Sequence, residues 1–135
     1  MPPTEDSEQR TLISWCQWMS GLHHEMDMIL HIPNGEYRTL SSGKRLKAQG
    51  VRAGVPDLFL AVPKGIYGGL WIELKAQHGR VSPEQKEWIG KLKVWGYAAH
   101  VCYGWRDAAK VICAYLELPD PFPEEPKPSV GRKRS

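Results

Sequence analysis

The feature that most constrains this chain is a pair of short apolar runs joined by a glycine-rich linker. Residues 55–62 (VPDLFLAV) and 70–74 (LWIEL) are rich in strand-forming side chains. The linker between them, residues 63–69 (PKGIYGG), has the glycines typical of a hairpin loop. We therefore predict that the two runs form a β-hairpin.

An amphipathic helix is predicted at the start of the chain. Thr4 is a good N-cap, and the acidic residues that follow it suit the first turn of a helix. An apolar stripe at helical spacing then runs from Leu12 to Met19. Glu8 lies on that stripe, either as an acid directed inward or as a first-turn acid that interacts favourably with the helix dipole.

Further elements surround the predicted hairpin. A short apolar segment spans residues 28–32, and residues 45–49 allow a short helix. Ser82 begins a helix with a capping box, a strand follows at 97–103, and Asp107 caps a last helix. The order helix, hairpin, helix, strand, helix predicts an α/β fold with a small mixed sheet.

The composition is that of a single globular domain. The 135 residues are 41% hydrophobic and 24% charged, which excludes a wholly disordered chain. Five of the last 17 residues are prolines, so we divide the chain into a folded domain at 1–118 and a basic, disordered tail at 119–135. Most of the tryptophans are expected in the core, namely Trp15, Trp18, Trp88, Trp95 and Trp105.

The cysteines and the hydropathy pattern indicate a reducing compartment. The three cysteines fit no zinc spacing and cannot all pair with one another, which favours reduced thiols in the core. No apolar run approaches the roughly 20 residues needed to span a bilayer, and no secretory signal is evident. We expect a cytoplasmic protein with no membrane partner.

Positive charge is concentrated in one part of the chain. The net charge is only +3, but no acidic residue lies between Glu36 and Asp57. Such a block of one sign faces either a polyanion or solvent. Its basic residues are Arg38, Lys44, Arg45, Lys47 and Arg52.

Three charged residues of the predicted hairpin have the chemistry of a metal site. Glu73 and Lys75 are two residues apart and share one side of their strand, and a hairpin brings Asp57 to the same end of the sheet. Two carboxylates suit a hard cation such as Mg²⁺, and the main-chain carbonyl of Leu74 is a further ligand. A metal-bound water and Lys75 would then support phosphodiester hydrolysis. Taken singly, the Pro-Asp and Glu-x-Lys patterns also occur as a turn junction and a cross-strand ion pair.

Linked motifs of this chain resemble one nuclease family. They are residues 54–58 (GVPDL), 72–75 (IELK) and 79–88 (GRVSPEQKEW), with 32–35 (IPNG) upstream and Gly96-Tyr97 downstream. Together they are similar to the VRR-NUC domains of the PD-(D/E)xK nuclease superfamily, in the compact stand-alone form found in phages. The resemblance covers about residues 5–118 and implies a restriction-endonuclease-like core.

The resemblance implies a site that binds Mg²⁺ or Mn²⁺. Asp57 and Glu73 match the metal-binding acids of the family, and the Leu74 carbonyl matches a further ligand. The family also has a glutamate in its first helix that completes the metal site. Glu8 is the better match to it, and Glu5 is the fallback.

The resemblance implies two more site residues. Lys75 corresponds to the catalytic lysine, and Gln85 falls where the family has a glutamine near the active site. Gln85 is also expected to be the capping-box partner of Ser82, and one side chain can fill both roles. The implied catalytic residues are Glu8, Asp57, Glu73, Lys75 and Gln85.

The resemblance also implies the substrate class. It indicates a structure-selective DNA endonuclease that cuts branched DNA, such as four-way (Holliday) junctions, as a homodimer in the cytoplasm of a bacterial host. The alternatives are a less selective nickase or flap nuclease and a catalytically inactive DNA-binding module. The expected contacts to DNA are Asn34, Arg38, Lys44, Arg45, Lys47 and Arg52.

Overall fold

The computed structural model describes residues 2–33 and 40–123, with side chains in the second range from residue 43 onward. Within these residues, four helices flank a four-stranded sheet. The helices are α1 (Glu5–Met19), α2 (Leu40–Ala48), α3 (Pro83–Val94) and α4 (Trp105–Tyr115), and a 3-10 helix spans His24–Met28. The strands are β1 (Ile29–His31), β2 (Leu58–Leu60), β3 (Leu70–Lys75) and β4 (Ala98–Tyr103).

The sheet has the order β1-β2-β3-β4 and is mixed. The first three strands are antiparallel, and β3 and β4 are parallel. The predicted hairpin is confirmed, with Leu58 opposite Ile72 and Leu60 opposite Leu70. Strand β2 is shorter than the apolar run that predicted it, because Pro56 has no N–H to donate to a ladder.

The two faces of β3 are covered by different helices. Leu70, Ile72 and Leu74 are buried with residues of α1 and α4 in the main core. Strand alternation places Trp71, Glu73 and Lys75 on the other face, which α3 covers. Trp71 stacks on Phe59 there, with ring centroids 4.4 Å apart. The alternation therefore separates an apolar core face from a face that carries charge.

Helix starts agree with the sequence at α1 and α3, whereas α2 begins at Leu40, before the short helix expected at 45–49, and α4 begins before Asp107. Thr4 caps α1, and its hydroxyl accepts a hydrogen bond from the N–H of Ser7. The prediction that Asp107 caps the last helix is wrong, because α4 begins at Trp105 after Gly104, whose φ is +87°. Asp107 lies in the first turn, and its carboxylate accepts a hydrogen bond from the N–H of Tyr103 at 2.9 Å.

Two tryptophans expected in the core are on the surface. Trp18 is 75% exposed, since it lies off the apolar stripe of α1, and Trp95 is 82% exposed at the C-cap of α3. Trp15 and Trp105 are partly buried, with ring centroids 6.4 Å apart. The three cysteines are buried free thiols, as expected.

The C-terminal segment packs on α4. The ring of Phe122 meets the ring of Trp105 edge to face at 5.3 Å, so packing continues past residue 118. Residues 124–135, most of the predicted tail, lie outside the described residues. Across the described ranges, no helix is both long and apolar enough to cross a bilayer.

Candidate active site

Asp57 is held at the point where the chain enters β2. Its carboxylate accepts a hydrogen bond from the N–H of Leu74 at 2.9 Å, and its carbonyl accepts one from Ile32 at 2.7 Å. The register of the hairpin, continued by one residue from the Leu58–Ile72 pair, places Asp57 beside Glu73. The hairpin therefore brings the two predicted acids together.

Glu73 and Lys75 form a buried charged pair on β3. Glu73 is 1% exposed and Lys75 is 6% exposed, and the Lys75 Nζ lies 3.3 Å from the Glu73 Oε2. The other carboxylate oxygen of Glu73, Oε1, is buried and has no hydrogen-bond partner among the described residues. A buried acceptor without a partner is costly, so this oxygen is suited to a ligand that supplies positive charge.

The two carboxyl groups perturb each other. Burial and the neighbouring charge of Asp57 raise the pKa of Glu73 to about 8, although Lys75 acts in the opposite direction. Burial also raises the pKa of Asp57, against the lowering effect of the Leu74 N–H. The two side chains are close enough to share a hydrogen bond when one of them is protonated. A cation that binds both carboxylates would displace the proton that they share.

Gln85 caps α3 and also contacts Glu73. Its Oε1 accepts a hydrogen bond from the N–H of Ser82 at 2.8 Å, which completes the capping box of α3. Its Nε2 donates a hydrogen bond to the Glu73 Oε2 at 3.1 Å. A helix cap and a contact to the buried acid are thus combined in one side chain.

The N–H and C=O groups of Leu74 point toward the side of β3 on which Asp57 lies. The N–H and the C=O of a strand residue point toward the same neighbouring strand. Because the N–H of Leu74 donates to Asp57, its carbonyl also lies on the β2 side of β3. The Leu74 side chain is in the core, as predicted, so the group that Leu74 could offer to a ligand is its carbonyl.

Glu8 lies at a different place from the paired acids. Its Oε1 is 3.4 Å from the N–H of Trp105 at the start of α4, and it lines a cavity of about 390 Å³ with Gln77 and Tyr103. Among the residues that the structure describes, no group of three or more His, Cys, Asp or Glu side chains is arranged to hold a metal. Glu8 is therefore not clustered with Asp57 and Glu73, and Glu5 is exposed on the surface of α1.

Two glycines allow close packing around the acids. A Cβ atom on Gly54, whose φ is +90°, would lie 2.6 Å from the backbone of Glu84 in α3. A Cβ atom on Gly79 would lie 3.2 Å from the side chain of Lys75. In the sequence both glycines appear only as parts of motifs, so these packing roles were not predicted. The signal in the sequence that could have indicated them is a glycine within a charged loop, since glycine is typical where two segments of the chain approach each other closely.

The basic residues before β2 are exposed where the structure describes them. These are Lys44, Arg45, Lys47 and Arg52, whereas Asn34 and Arg38 lie outside the described residues. The guanidinium of Arg52 lies over the ring of Trp88, 5.1 Å from the centroid. Trp88 is partly buried on α3, and sequence analysis did not anticipate this contact.

The residues of this site fit a hard divalent cation. Asp57 and Glu73 supply carboxylate oxygens, and the Leu74 carbonyl is on the same edge. Within the described ranges, no donor reaches the Glu73 Oε1. Without a cation, one proton between the two acids compensates part of their charge. Oxygen donors next to a buried lysine are suited to metal-assisted hydrolysis at phosphorus.

Comparisons with known proteins agree with this geometry. The family profile of the VRR-NUC domain matches residues 4–105. A solved structure of a VRR-NUC domain protein superposes with a TM-score of 0.74 and is 31% identical in sequence, over 89% of this chain and 93% of that one. A search of curated proteins finds no significant match. The chain belongs to the VRR-NUC family and has the fold of its nuclease-type domain.

Proposed function

We propose that this protein is a metal-dependent, structure-selective DNA endonuclease that hydrolyses phosphodiester bonds in branched DNA such as four-way junctions. The observation that carries the proposal is the partly buried Asp57 beside the buried Glu73 and Lys75, where the Glu73 Oε1 has no donor among the residues that the structure describes. A fold alone does not require such a costly arrangement of charges.

The metal ligands in this proposal are Asp57, Glu73 and the Leu74 carbonyl. Mg²⁺ or Mn²⁺, when bound, polarises a phosphate oxygen and lowers the pKa of a water molecule. The N–H of Leu74 fixes the Asp57 carboxylate, and Gln85 fixes the Glu73 carboxylate, so neither acid has to reorganise to present its oxygens. Glu8, which lies beside the N–H of Trp105 at the start of α4, supplies no ligand in this proposal.

In this proposal Lys75 is the catalytic residue that supplies a positively charged side chain. Its Nζ contacts Glu73, and its stem is enclosed by Gly79 and the strand. From this position it orients the attacking water and offsets the negative charge that develops on the phosphate. Its burial keeps the ammonium from being fully hydrated, which strengthens the interaction with a phosphate.

DNA is bound through its backbone in this proposal. The exposed basic residues that precede β2 contact phosphates and make no contacts to base edges. Recognition therefore depends on the shape of the DNA and not on its sequence. Two symmetric cuts in a four-way junction need two active sites, which favours a homodimer. The compartment that we propose is the bacterial cytoplasm.

The test is cleavage of labelled four-way junction, flap, duplex and single-stranded DNA in Mg²⁺ or Mn²⁺, with Glu73→Gln as the control. We expect paired, symmetric cuts in the junction that are absent in the variant. Metal-dependent cleavage of flaps or nicking of duplex instead would replace the junction role by a less selective nuclease. Binding of DNA without cleavage in either metal would identify an inactive DNA-binding relative and overturn the proposal.

A further inference from the structure

A small basic cavity lies between α2 and the loop that leads to β2. Its volume is about 270 Å³, and it is lined by Gly43, Lys47, Val51, Arg52 and Ala53. Two of these five residues are cations, and none is acidic. Its two cations and the absence of an acid from its lining suit a phosphate group.

Arg52 is held at this cavity by Trp88 of α3. Its guanidinium lies 5.1 Å from the centroid of the Trp88 ring, within the range of a cation–π interaction. The ammonium of Lys91 lies 5.6 Å from the same centroid and pairs with Glu87 at 3.0 Å. Glu87, the acid that precedes Trp88 in α3, thus already has a cation as its partner.

Arg52 keeps its charge for an external anion. In the part of the chain that the structure describes, no carboxylate lies within ion-pair distance of Arg52. An aromatic ring restricts the side chain without neutralising it, whereas a carboxylate would do both. Arg52 is therefore restricted before any ligand binds, which reduces the entropy lost on binding.

The loop that carries Arg52 is connected to the proposed active site. Gly54 packs against the backbone of Glu84 so closely that a Cβ atom would lie only 2.6 Å away. The same turn of α3 carries Gln85, which contacts Glu73, and the same loop leads into Asp57. A phosphate in the cavity would thus be held at a defined place relative to the two acids.

We infer that this cavity is a phosphate subsite for the DNA backbone, with Lys47 and Arg52 as its cations and Trp88 as the residue that positions Arg52. The inference rests on the proposed function, because it assumes that the polyanion is DNA. It assigns Trp88 a role in binding, although this residue neither touches the phosphate nor belongs to the main core.

The test is the salt dependence of DNA binding, measured by fluorescence anisotropy in metal-free buffer. The variants are Arg52→Gln, Trp88→Leu, the double variant and Trp88→Phe. Lys110→Gln is the matched control, since it removes one positive charge on α4, across the sheet from the cavity. Thermal melting of each variant establishes that it is folded.

We expect Arg52→Gln to reduce the magnitude of the negative slope of log K against log [salt] by about 0.9. This corresponds to a loss of about eightfold in affinity at 0.1 M salt. Trp88→Leu alone should cause much of this loss of affinity, and it should cause no further loss in the Arg52→Gln background. Trp88→Phe, which keeps an aromatic ring, should bind with nearly the wild-type affinity. Such non-additivity distinguishes positioning of Arg52 from a general loss of packing.

Three outcomes would overturn the subsite. The first is an unchanged slope in Arg52→Gln, and the second is an equal reduction of the magnitude of the slope in Lys110→Gln. The third is a double variant in which the two losses of affinity add. If the wild-type protein cleaves DNA while one of these is observed, only the subsite is lost. If the wild-type protein neither binds nor cleaves DNA, the proposed function fails together with it.

Discussion

Glu73 is a carboxylate with almost no access to water, and its two nearest charged neighbours act in opposite directions. Asp57 and burial favour the protonated form, and Lys75 favours the ionised form. The result is a pKa near 8 rather than 4.5, so this acid stays largely protonated at neutral pH unless a cation replaces the proton. Metal binding and proton release are therefore linked at this residue.

The stability of the metal-free protein should reflect this pKa. A raised pKa means that the folded protein keeps a proton that the unfolded chain has lost. The stabilisation is complete below pH 4.5 and is lost as the pH rises through about 8. We expect the melting temperature of the wild type, relative to that of Glu73→Gln, to fall between these pH values.

Mg²⁺ should reverse that fall. Because the ion binds the ionised carboxylates, it should raise the melting temperature more at pH 8 than at pH 5, and it should have little effect on Glu73→Gln. Calorimetry without Mg²⁺ and with Mg²⁺ at roughly 100 times its Kd makes the comparison. An equal rise in the wild type and the variant would show that the ion binds elsewhere.

Lys75 should be needed for cleavage but not for binding. Lys75→Met keeps a side chain of similar length and removes the charge beside Glu73. We expect cleavage to fall by about 100-fold or more, as for the loss of a charge that acts on the transition state, with DNA affinity nearly unchanged. Single-turnover cleavage and anisotropy measure the two effects, with Lys110→Met as a control, and an unimpaired cleavage rate would remove Lys75 from the mechanism.

The residues that could be predicted are those whose placement follows from strand geometry. Glu73 and Lys75 share a face because they are two apart, and Asp57 meets Glu73 because of the hairpin register. The contact of Glu8 depends on where α4 begins, which its own helix does not reveal. Alternation therefore predicted the acids, and only the three-dimensional packing locates Glu8.

At the scale of secondary-structure elements, α3 links the acids to the rest of the chain. Its first turn is capped by Ser82, contacts Glu73 through Gln85 and packs against Gly54. The capping box was evident in the sequence because its residues are local. The contact with Gly54 was not, since it joins segments that are far apart along the chain.

The contact between the Gly54 loop and α3 can be tested against a matched glycine. Gly54 and Gly50 both have a positive φ, but a Cβ atom on Gly50 would meet no atom within 4 Å. Gly50→Ala should therefore cost only backbone strain, about 1–3 kcal/mol. Gly54→Ala adds a clash with Glu84, so we expect a larger loss of stability and weaker cleavage.

Urea unfolding and cleavage rates make that comparison. Equal losses of stability in Gly50→Ala and Gly54→Ala would show that the approach to Glu84 is not important. Unchanged cleavage by a folded Gly54→Ala protein would show that α3 does not need this contact to place Gln85. The pair of variants thus separates backbone strain from packing.

At the scale of the whole molecule, the fold is a mixed sheet whose charged face is covered by α3 and whose apolar face is covered by α1 and α4. The hairpin, β4 and the three longest helices could be predicted from hydropathy and capping signals. The apolar segment at 28–32 did not reveal that it pairs with β2 as strand β1. The exposure of Trp18 could have been read from its position off the apolar stripe of α1. The exposure of Trp95 could not, because composition does not say which large side chains the core has room for.

The end of the folded domain can be tested at Phe122. This ring packs on Trp105, and the guanidinium of Arg106 lies 5.1 Å from its centroid. We expect Phe122→Ala to lower the free energy of unfolding by about 1–2 kcal/mol. Truncation after Pro123 should leave it unchanged, and urea unfolding measures both. A stability loss on truncation that matches the Phe122→Ala loss would place the boundary further along the chain.

The loop between β2 and β3 lies at the end of the sheet away from the acids, since β3 runs from Leu70 to Lys75 over about 17 Å. Ile66 in this loop is 87% exposed, and all three native thiols are buried. An Ile66→Cys variant would consequently offer one readily accessible thiol. A fluorophore attached there would report on tumbling and association without entering the proposed path of the DNA.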